Sequence, residues 1–172
     1  MSGKPCGSFV HKVPTVRDGR IYGWHLQAAE RPIFLNGFNL AWIKWGQDFV
    51  ATDASSLCAM EDAMRFLVLR GGNSMRVWIF TEPERALAWD GGHVRALADR
   101  VIANCRMLLE LALHYGVSIV LTLFNGAVER EYRACQLFGD DRALSALIEN
   151  AVKPLAAALQ GYESLAMWEI AN

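Results

Sequence analysis

The chain has 172 residues, of which 53% are hydrophobic and 20% are charged, and its formal net charge is −1. This composition is typical of a globular domain with a real core and excludes a disordered chain. Because the net charge is close to zero and Lys and Arg are scattered, electrostatics give no argument for a nucleic acid or an anionic membrane as the partner.

Neither a targeting segment nor a metal site is indicated. The N-terminal stretch "MSGKPCGSFVHKV" lacks the continuous apolar run of a secretory signal, so localisation is left open. The most apolar stretch, residues 108–124, is interrupted by charged and small residues and predicts a helix end and a buried strand, not a membrane span. The cysteines form no C-x-x-C pair and the histidines show no ligand spacing, so we expect no metal and no cofactor, and the disulfide state is left open.

The first part of the chain predicts a β-hairpin and one short strand. The segments "SFVHKV" and "RIYGW" flank Asp18-Gly19, a strong turn signal, and place the hairpin at about residues 8–26. The apolar run "RPIFLNGFN", residues 31–39, predicts a strand that ends at Asn39. A loop rich in aromatic residues follows, with Trp42 and Trp45.

Strands and helices then alternate. We predict a helix from about Ala54 to Arg70, capped by Asp53, and a strand at "SMRVWIF". The apolar face of this helix is predicted to contain Leu57, Met60, Met64, Leu67 and Val68. After a loop over residues 81–92, a second helix is expected over about 93–115, and the apolar run "VSIVLTLF" predicts a strand that is covered on both faces.

The last third of the chain predicts one more helix and one more strand. The helical pattern in "DRALSALIENAVKPLAAAL" contains Pro154, which lacks an amide hydrogen and should kink or divide the helix. The final strand is "SLAMWEIAN". Strands that alternate with helices indicate a parallel sheet, either doubly wound or the first part of a (β/α)₈ barrel. A full barrel needs roughly 250 residues, so this chain has room for only about half of one.

Polar residues lie within or just after each of these strands, most of them at the carboxyl end. In both architectures this edge of the sheet binds ligands. The sequence therefore predicts one site at this edge, to which four strands contribute Asn39, Arg76, Asn125 and Asn172.

The strand sequences "FLNGFNLAW", "GGNSMRVWIF", "GVSIVLTLFN" and "WEIAN" resemble those of clan A glycoside hydrolases, and most of all the β-mannanase group of family 5. In the family the second strand carries an Arg in an R-x-W setting, matched by Arg76 and Trp78, and the third ends in an Asn, matched by Asn125. The fourth strand of the family reads Trp-Glu-x-x-Asn-Glu-Pro, and the Glu after the Asn is the general acid/base. Here the match runs through Glu169 and Asn172, where the chain stops before that Glu.

The resemblance extends from about residue 9 to residue 172 and implies both fold and function. The implied fold is α/β: a partial (β/α)₈ TIM barrel, about its first four strands, preceded by a short N-terminal β-hairpin. Residues 1–172 would form the N-terminal half of a catalytic domain, with the hairpin at about 8–26 and the βα units at about 31–172. The implied full-length protein is an O-glycosyl hydrolase that cleaves β-1,4-linked polysaccharide, with mannan or glucomannan favoured and cellulose as a further substrate, by a retaining mechanism with two carboxylates. Since both catalytic Glu residues are absent from this chain, we expect the chain alone to be inactive.

The resemblance also implies roles for individual residues. Arg76 would lie beside the nucleophile and favour its ionised form, and Asn172 would bind the sugar 2-hydroxyl. Trp42, Trp78, Asn125 and Asn39 would bind substrate, the Trp rings by their flat apolar faces. Glu169 is expected to be an inward-facing barrel residue with a polar partner and not a catalyst.

Other interpretations stay open at this point. The chain could be a non-catalytic carbohydrate-binding half-barrel or fragment, or a doubly wound α/β binding domain unrelated to sugars. Arg76 could be a structural ion-pair residue, and Asn125-Gly126 only a turn signal. An open half-barrel leaves the edges of its first and last strands unpaired, so we expect self-association through these edges.

Overall fold

The structure, a computed structural model, describes residues 10–28, 31–126 and 137–172. The chain begins with a three-stranded antiparallel sheet formed by β1 (His11–Arg17), β2 (Arg20–Ala28) and β3 (Arg31–Ile33). β1 and β2 are joined by the Asp18-Gly19 turn, which confirms the predicted hairpin within the described residues.

A parallel sheet with its connecting helices forms the rest of the fold. In chain order its elements are β4 (Gly37–Asn39), α1 (Ser55–Leu69), β5 (Ser74–Phe80), α2 (Pro83–Ala86), β6 (Leu87–Asp90), β7 (His93–Leu97), α3 (Val101–Tyr115), β8 (Ser118–Phe124), α4 (Asp141–Leu147), a π-helical turn (Ile148–Val152), α5 (Lys153–Leu159) and β9 (Leu165–Ala171). Among the helices of the described segments, none has both the length and the apolarity that a membrane span requires.

The strand order identifies the architecture. β4, β5, β8 and β9 pair side by side in chain order, and all three pairings are parallel. In a doubly wound sheet the order in which strands are added reverses at a switch point. In a (β/α)₈ barrel each new strand is added next to the previous one. The chain therefore forms a partial (β/α)₈ barrel preceded by a β-hairpin, as predicted.

The core lies between the outer face of the parallel sheet and the helices. From the helices it includes Met60 and Met64 of α1 and Leu108 of α3, each 0% exposed. Cys105 of α3 is also fully buried, and this burial raises the pKa of its thiol. The strands contribute residues that are at most 4% exposed, namely Met75, Val77, Ile79, Ile119, Leu121 and Leu123.

The predicted strand over residues 31–39 is in fact two strands in two sheets. β3 pairs with the hairpin, and β4 pairs with β5 of the parallel sheet. The break between them is held by Asn73, whose side chain accepts a hydrogen bond from the Asn36 amide at 2.7 Å and donates one to the Phe34 carbonyl at 2.9 Å. Asn73 lies 37 and 39 positions after these two residues, so the local apolar pattern could not reveal the contacts.

The second predicted helix is present as α3, but its expected start at about residue 93 was wrong, because residues 93–97 form β7. Gly91 and Gly92 have φ angles of 54° and 89°, which close a tight turn between β6 and β7. The predicted loop over residues 81–92 likewise contains α2 and β6. Val94 fits the apolar stripe of the expected helix and is buried, at 1% exposure, but it lies in a strand.

The limits of the other helices differ from the prediction in smaller ways. Asp53 does not cap α1: the N-cap is Ala54, and the Asp53 side chain accepts a hydrogen bond from the Ser55 amide at 2.9 Å. Val68 is 40% exposed and lies outside the apolar face. The effect of Pro154 is confirmed, since the helix is divided by the π-helical turn that ends at Val152.

Candidate functional site

Arg76 of β5 connects three strands through its guanidinium group. Its Nε and Nη2 atoms lie 2.6 and 2.5 Å from Oε2 of Glu169 on β9. Nη1 donates to Oδ1 of Asn39 at 3.0 Å, and Nη2 also donates to Oδ1 of Asn172 at 3.1 Å. The planar guanidinium can reach all three acceptors at once because its donors point in fixed directions.

The ion pair lies on the inner face of the sheet. Thr122 of β8 adds a hydrogen bond from its hydroxyl to the same Oε2 atom of Glu169, at 2.6 Å. The side chains of Arg76 and Glu169 are 21% and 37% exposed, so solvent reaches this pair. The structure thus confirms that Arg76 has a charged partner and that Glu169 faces inward with polar partners.

Aromatic side chains lie next to the guanidinium. Trp78, two residues after Arg76 on the same face, is 8% exposed, and its ring centroid lies 5.3 Å from Cζ of Arg76. The Trp42 ring is tilted against Trp78 at 5.4 Å between centroids, and it meets Trp45 edge to face at 4.8 Å. Trp42 is 41% exposed, so part of its ring is free to contact a ligand.

These side chains border a cleft at the carboxyl edge of the sheet, which we call the rim cleft. Its volume is about 400 Å³, and its lining consists of Asn39, Leu40, Ala41, Trp42, Trp78 and Asn172. Two carboxamides and two indole rings therefore face one space, with the Arg76 guanidinium bonded to both carboxamides. Polar groups beside flat apolar rings are the surface that a sugar ring, with its hydroxyl edge and C–H faces, fits.

Asn125 lies apart from the rim cleft. It follows β8 at the same edge of the sheet, but it is 2% exposed, and its Nδ2 donates to the Thr81 carbonyl at 2.6 Å. This hydrogen bond is made with protein and does not involve the rim cleft. Its assignment to substrate stays a prediction.

The sequence interpretation missed three polar residues around the site, Asp48, Thr81 and Thr122. All three are at most 6% exposed. Thr122 was hidden because a β-branched residue is ordinary in an apolar strand. Asp48 had a signal, since a short carboxylate in a loop commonly accepts hydrogen bonds from nearby backbone amides. In the described segments no group of three or more His, Cys, Asp or Glu residues is placed to hold a metal ion.

Comparison with known proteins places this geometry in context. No family model matches the chain. A mannan endo-1,4-beta-mannosidase of Mytilus edulis is 34% identical over 156 residues, which are 88% of this chain and 42% of that protein. One of Cryptopygus antarcticus is 35% identical over 144 residues, 81% of this chain and 38% of that protein. The chain is similar to these two β-mannanases over most of its own length.

Solved β-mannanases have the same fold over almost the whole chain. The β-1,4-D-mannanase from Cryptopygus antarcticus superposes with a TM-score of 0.85 at 31% identity, covering 96% of this chain and 44% of that one. The Mytilus edulis β-mannanase gives 0.84 at 31% identity, with 96% and 46% covered. The endo-1,4-β-mannanase from Eisenia fetida gives 0.82 at 28% identity, with 96% and 45% covered.

The coverage is unequal on the two sides of each comparison. The chain is matched along 81–96% of its own length, yet it spans less than half the length of the proteins that it matches. The resemblance to family 5 β-mannanases that the strand motifs indicated is confirmed, and so is the partial barrel.

Proposed function

We propose that this chain forms the N-terminal half of an endo-β-1,4-mannanase and provides part of its substrate cleft. The observation that carries the proposal is the Arg76 guanidinium, which binds Asn39, Glu169 and Asn172 beside the aromatic rim cleft. It is supported by relatives named mannan endo-1,4-beta-mannosidase at 34% and 35% identity. The reaction class is O-glycosyl hydrolysis of β-1,4-linked mannan or glucomannan.

The proposed chemistry assigns each group of the rim cleft a task. A retaining glycosidase places two carboxyl groups about 5–5.5 Å apart, one protonated as the acid/base and one ionised as the nucleophile. The permanent positive charge of Arg76 would keep a neighbouring nucleophile ionised. Asn172 uses its Oδ1 atom to accept from Arg76, which leaves its NH₂ group to donate to the sugar 2-hydroxyl. The Trp42 and Trp78 rings would stack on the pyranose faces.

This chain by itself is proposed to bind sugar and not to cleave it. The carboxylate that the described residues bring to the site is Glu169, and its Oε2 atom already accepts from Arg76 and Thr122. A carboxylate held in this way is a poor proton donor and a hindered nucleophile. As the strand-motif resemblance implies, the acid/base and the nucleophile are assigned to residues after position 172. The contacts that occupy Glu169 also favour a second candidate, a carbohydrate-binding module without catalysis.

A chimera tests the enzyme proposal. Residues 1–172 are fused to the remaining C-terminal part of the Mytilus edulis enzyme at the matching strand, and the hydrolysis of mannan, glucomannan and cellulose is measured by reducing-end release. We expect cleavage of mannan, and its loss in the same chimera carrying Arg76→Met. A folded chimera that cleaves none of the three polymers contradicts the proposal.

The isolated chain and its gene separate the two candidates. Calorimetric titration of the chain with mannohexaose tests binding, which both candidates require. The codons that follow residue 172 decide between them. Glu-Pro supports the enzyme, whereas a stop codon supports the binding module.

A further inference from the structure

The segment that carries Trp42 and Trp45 is held by buried polar contacts that the proposed chemistry does not use. We call residues 40–51 the aromatic loop. Within it Asp48 is 6% exposed, and its carboxylate accepts two backbone hydrogen bonds, from the Ile43 amide to Oδ2 at 2.7 Å and from the Lys44 amide to Oδ1 at 2.9 Å. Both amides lie between the two Trp residues, so each oxygen of Asp48 fixes the backbone from which these rings project.

A second contact holds the tip of the aromatic loop. The hydroxyl of Thr81 accepts a hydrogen bond from the Gly46 amide at 2.9 Å, and Thr81 is 4% exposed. Gly46 has φ +67°, and a Cβ atom there would lie 2.5 Å from the Glu82 carboxylate. Only glycine fits this position without a shift, so the loop lies directly against the end of β5.

A third contact holds the far end of the aromatic loop and provides a control. Asn104 of α3 is 6% exposed, and its Nδ2 donates to the carbonyls of Phe49 and Ala51, both at 3.1 Å. This contact stabilises the same loop, but it lies away from the backbone between Trp42 and Trp45. Removing it should therefore cost stability without turning the rings.

We propose that Asp48 is a positioning residue that sets the orientation of Trp42 and Trp45 at the rim cleft and so sets the affinity of the cleft for a sugar chain. A buried carboxylate is costly unless its oxygens accept hydrogen bonds, and here they accept from the backbone amides of Ile43 and Lys44. Apolar packing is not directional, whereas two hydrogen bonds from one carboxylate fix the backbone direction. The affinity part rests on the proposed function, and the orientation part does not.

The orientation part is tested without any ligand by near-ultraviolet circular dichroism. The edge-to-face pair of Trp42 and Trp45, 4.8 Å apart, should give a coupled indole band, which Trp42→Phe identifies by its loss. Asp48→Asn replaces one acceptor by an NH₂ group that faces a backbone N–H, and we expect it to abolish most of that band. Asn104→Ala should lower the melting temperature and leave the band in place. Asp62→Asn, at an exposed carboxylate on α1, should change neither.

The coupled indole band decides whether Asp48 orients the two Trp rings. A folded Asp48→Asn chain with the wild-type band overturns the proposal, and so does an Asn104→Ala chain that loses the band as completely. If Asp48→Asn does not fold, Asp48→Ser, whose side chain is neutral and shorter, is used instead. The same two outcomes then overturn the proposal.

The affinity part is then tested with mannohexaose. We expect Asp48→Asn to weaken its binding by about tenfold and Asp62→Asn to leave it unchanged. Unchanged affinity in a chain that has lost the band overturns the link between ring orientation and binding. Absence of mannohexaose binding by the wild-type chain counts against the proposed function instead, and the band still decides whether Asp48 orients the rings.

Discussion

On the outer face of the parallel sheet Val77 and Leu121 are 0% exposed, whereas on the inner face the side chains of Arg76 and Glu169 are 21% and 37% exposed. Val77 and Arg76 are neighbours on one strand. Because successive side chains of a strand point to opposite faces, β5 packs with one set of residues and builds the rim cleft with the other. Residues that stabilise the fold and residues that border the cleft therefore alternate along the same strand, so each contribution can be changed separately.

The largest effect is expected on the outer face. Leu121→Ala should lower the free energy of unfolding by about 2–5 kcal/mol, because it removes buried methyl groups and leaves a cavity. Urea unfolding measures it, with Leu69→Ala, at 83% exposure, as the control that should be nearly neutral. If the residual folded fraction of Leu121→Ala binds mannohexaose more weakly than the wild type, the two faces are not separable.

Asn125 tests the comparison at a buried strand-end amide, whose assignment to substrate is still a prediction. Asn125→Ala should cost about 1–3 kcal/mol of stability, because the buried Thr81 carbonyl loses its donor. Mannohexaose affinity, measured on the folded protein by calorimetry, should stay within experimental error. A stable variant with weakened binding would instead support the substrate contact that the strand motif implied.

Arg76 is the corresponding test on the inner face. Arg76→Met should weaken mannohexaose binding by about tenfold or more, because Asn39 and Asn172 lose the donor that orients them. Its effect on stability should be modest, since the pair with Glu169 is partly exposed. A double-mutant cycle with Glu169→Gln should give a coupling of about 1 kcal/mol. A coupling of several kcal/mol would make Arg76 chiefly a structural residue.

On the edge strand β9 the outer face of the sheet is partly exposed, in contrast to the outer face of β5 and β8. On β9, Trp168 and Ile170 are 39% and 60% exposed, while Leu121 on the adjacent strand is 0% exposed. β9 is also the last strand in the order of its sheet. We therefore predict that the isolated chain associates with itself, and that Ile170→Lys reduces this. Light scattering after gel filtration measures the mass, and a monodisperse wild-type monomer contradicts the prediction.

The smallest effect is expected at the helix surface, far from both faces. The hydrogen bond from Tyr115 lowers the pKa of Glu61, and the contact with Arg65 adds to this. A lowered pKa in the folded state contributes stability above the unfolded pKa, and this stability is lost as pH falls through the folded pKa. Glu61→Gln should therefore be less stable than the wild type at neutral pH and approach it in acid. Glu149→Gln, at an exposed pair with Lys153, is the control that should show a smaller difference.

The parts of the fold that depend on local pattern were predictable from the sequence. The Asp18-Gly19 turn, the apolar strand β8 and the break before Pro154 follow from backbone preferences and hydrophobic period, which act over a few residues. The β6–β7 hairpin was missed because Val94 and Leu97 also fit a helical stripe, and the two glycines that decide the matter lie just before them.

The site was predictable only in its outline. Chain order along a parallel sheet places the strand ends together, so Asn39 and Asn172 could be expected at one cleft. What could not be expected is which amide would turn inward toward protein, as Asn125 does, or that Thr81 would bind the backbone of the aromatic loop at Gly46. Those outcomes depend on contacts between residues that are distant in sequence or on the three-dimensional course of a loop.

The guanidinium of Arg76 has a further consequence for how the sheet assembles. If β9 shifted along β8 by one residue, Glu169 would turn to the apolar side and Ile170 would face the charge. That misaligned sheet would leave the Arg76 cation beside an isoleucine and without its counterion. The same ion pair that prepares the cleft therefore penalises slippage of the strand that carries Glu169.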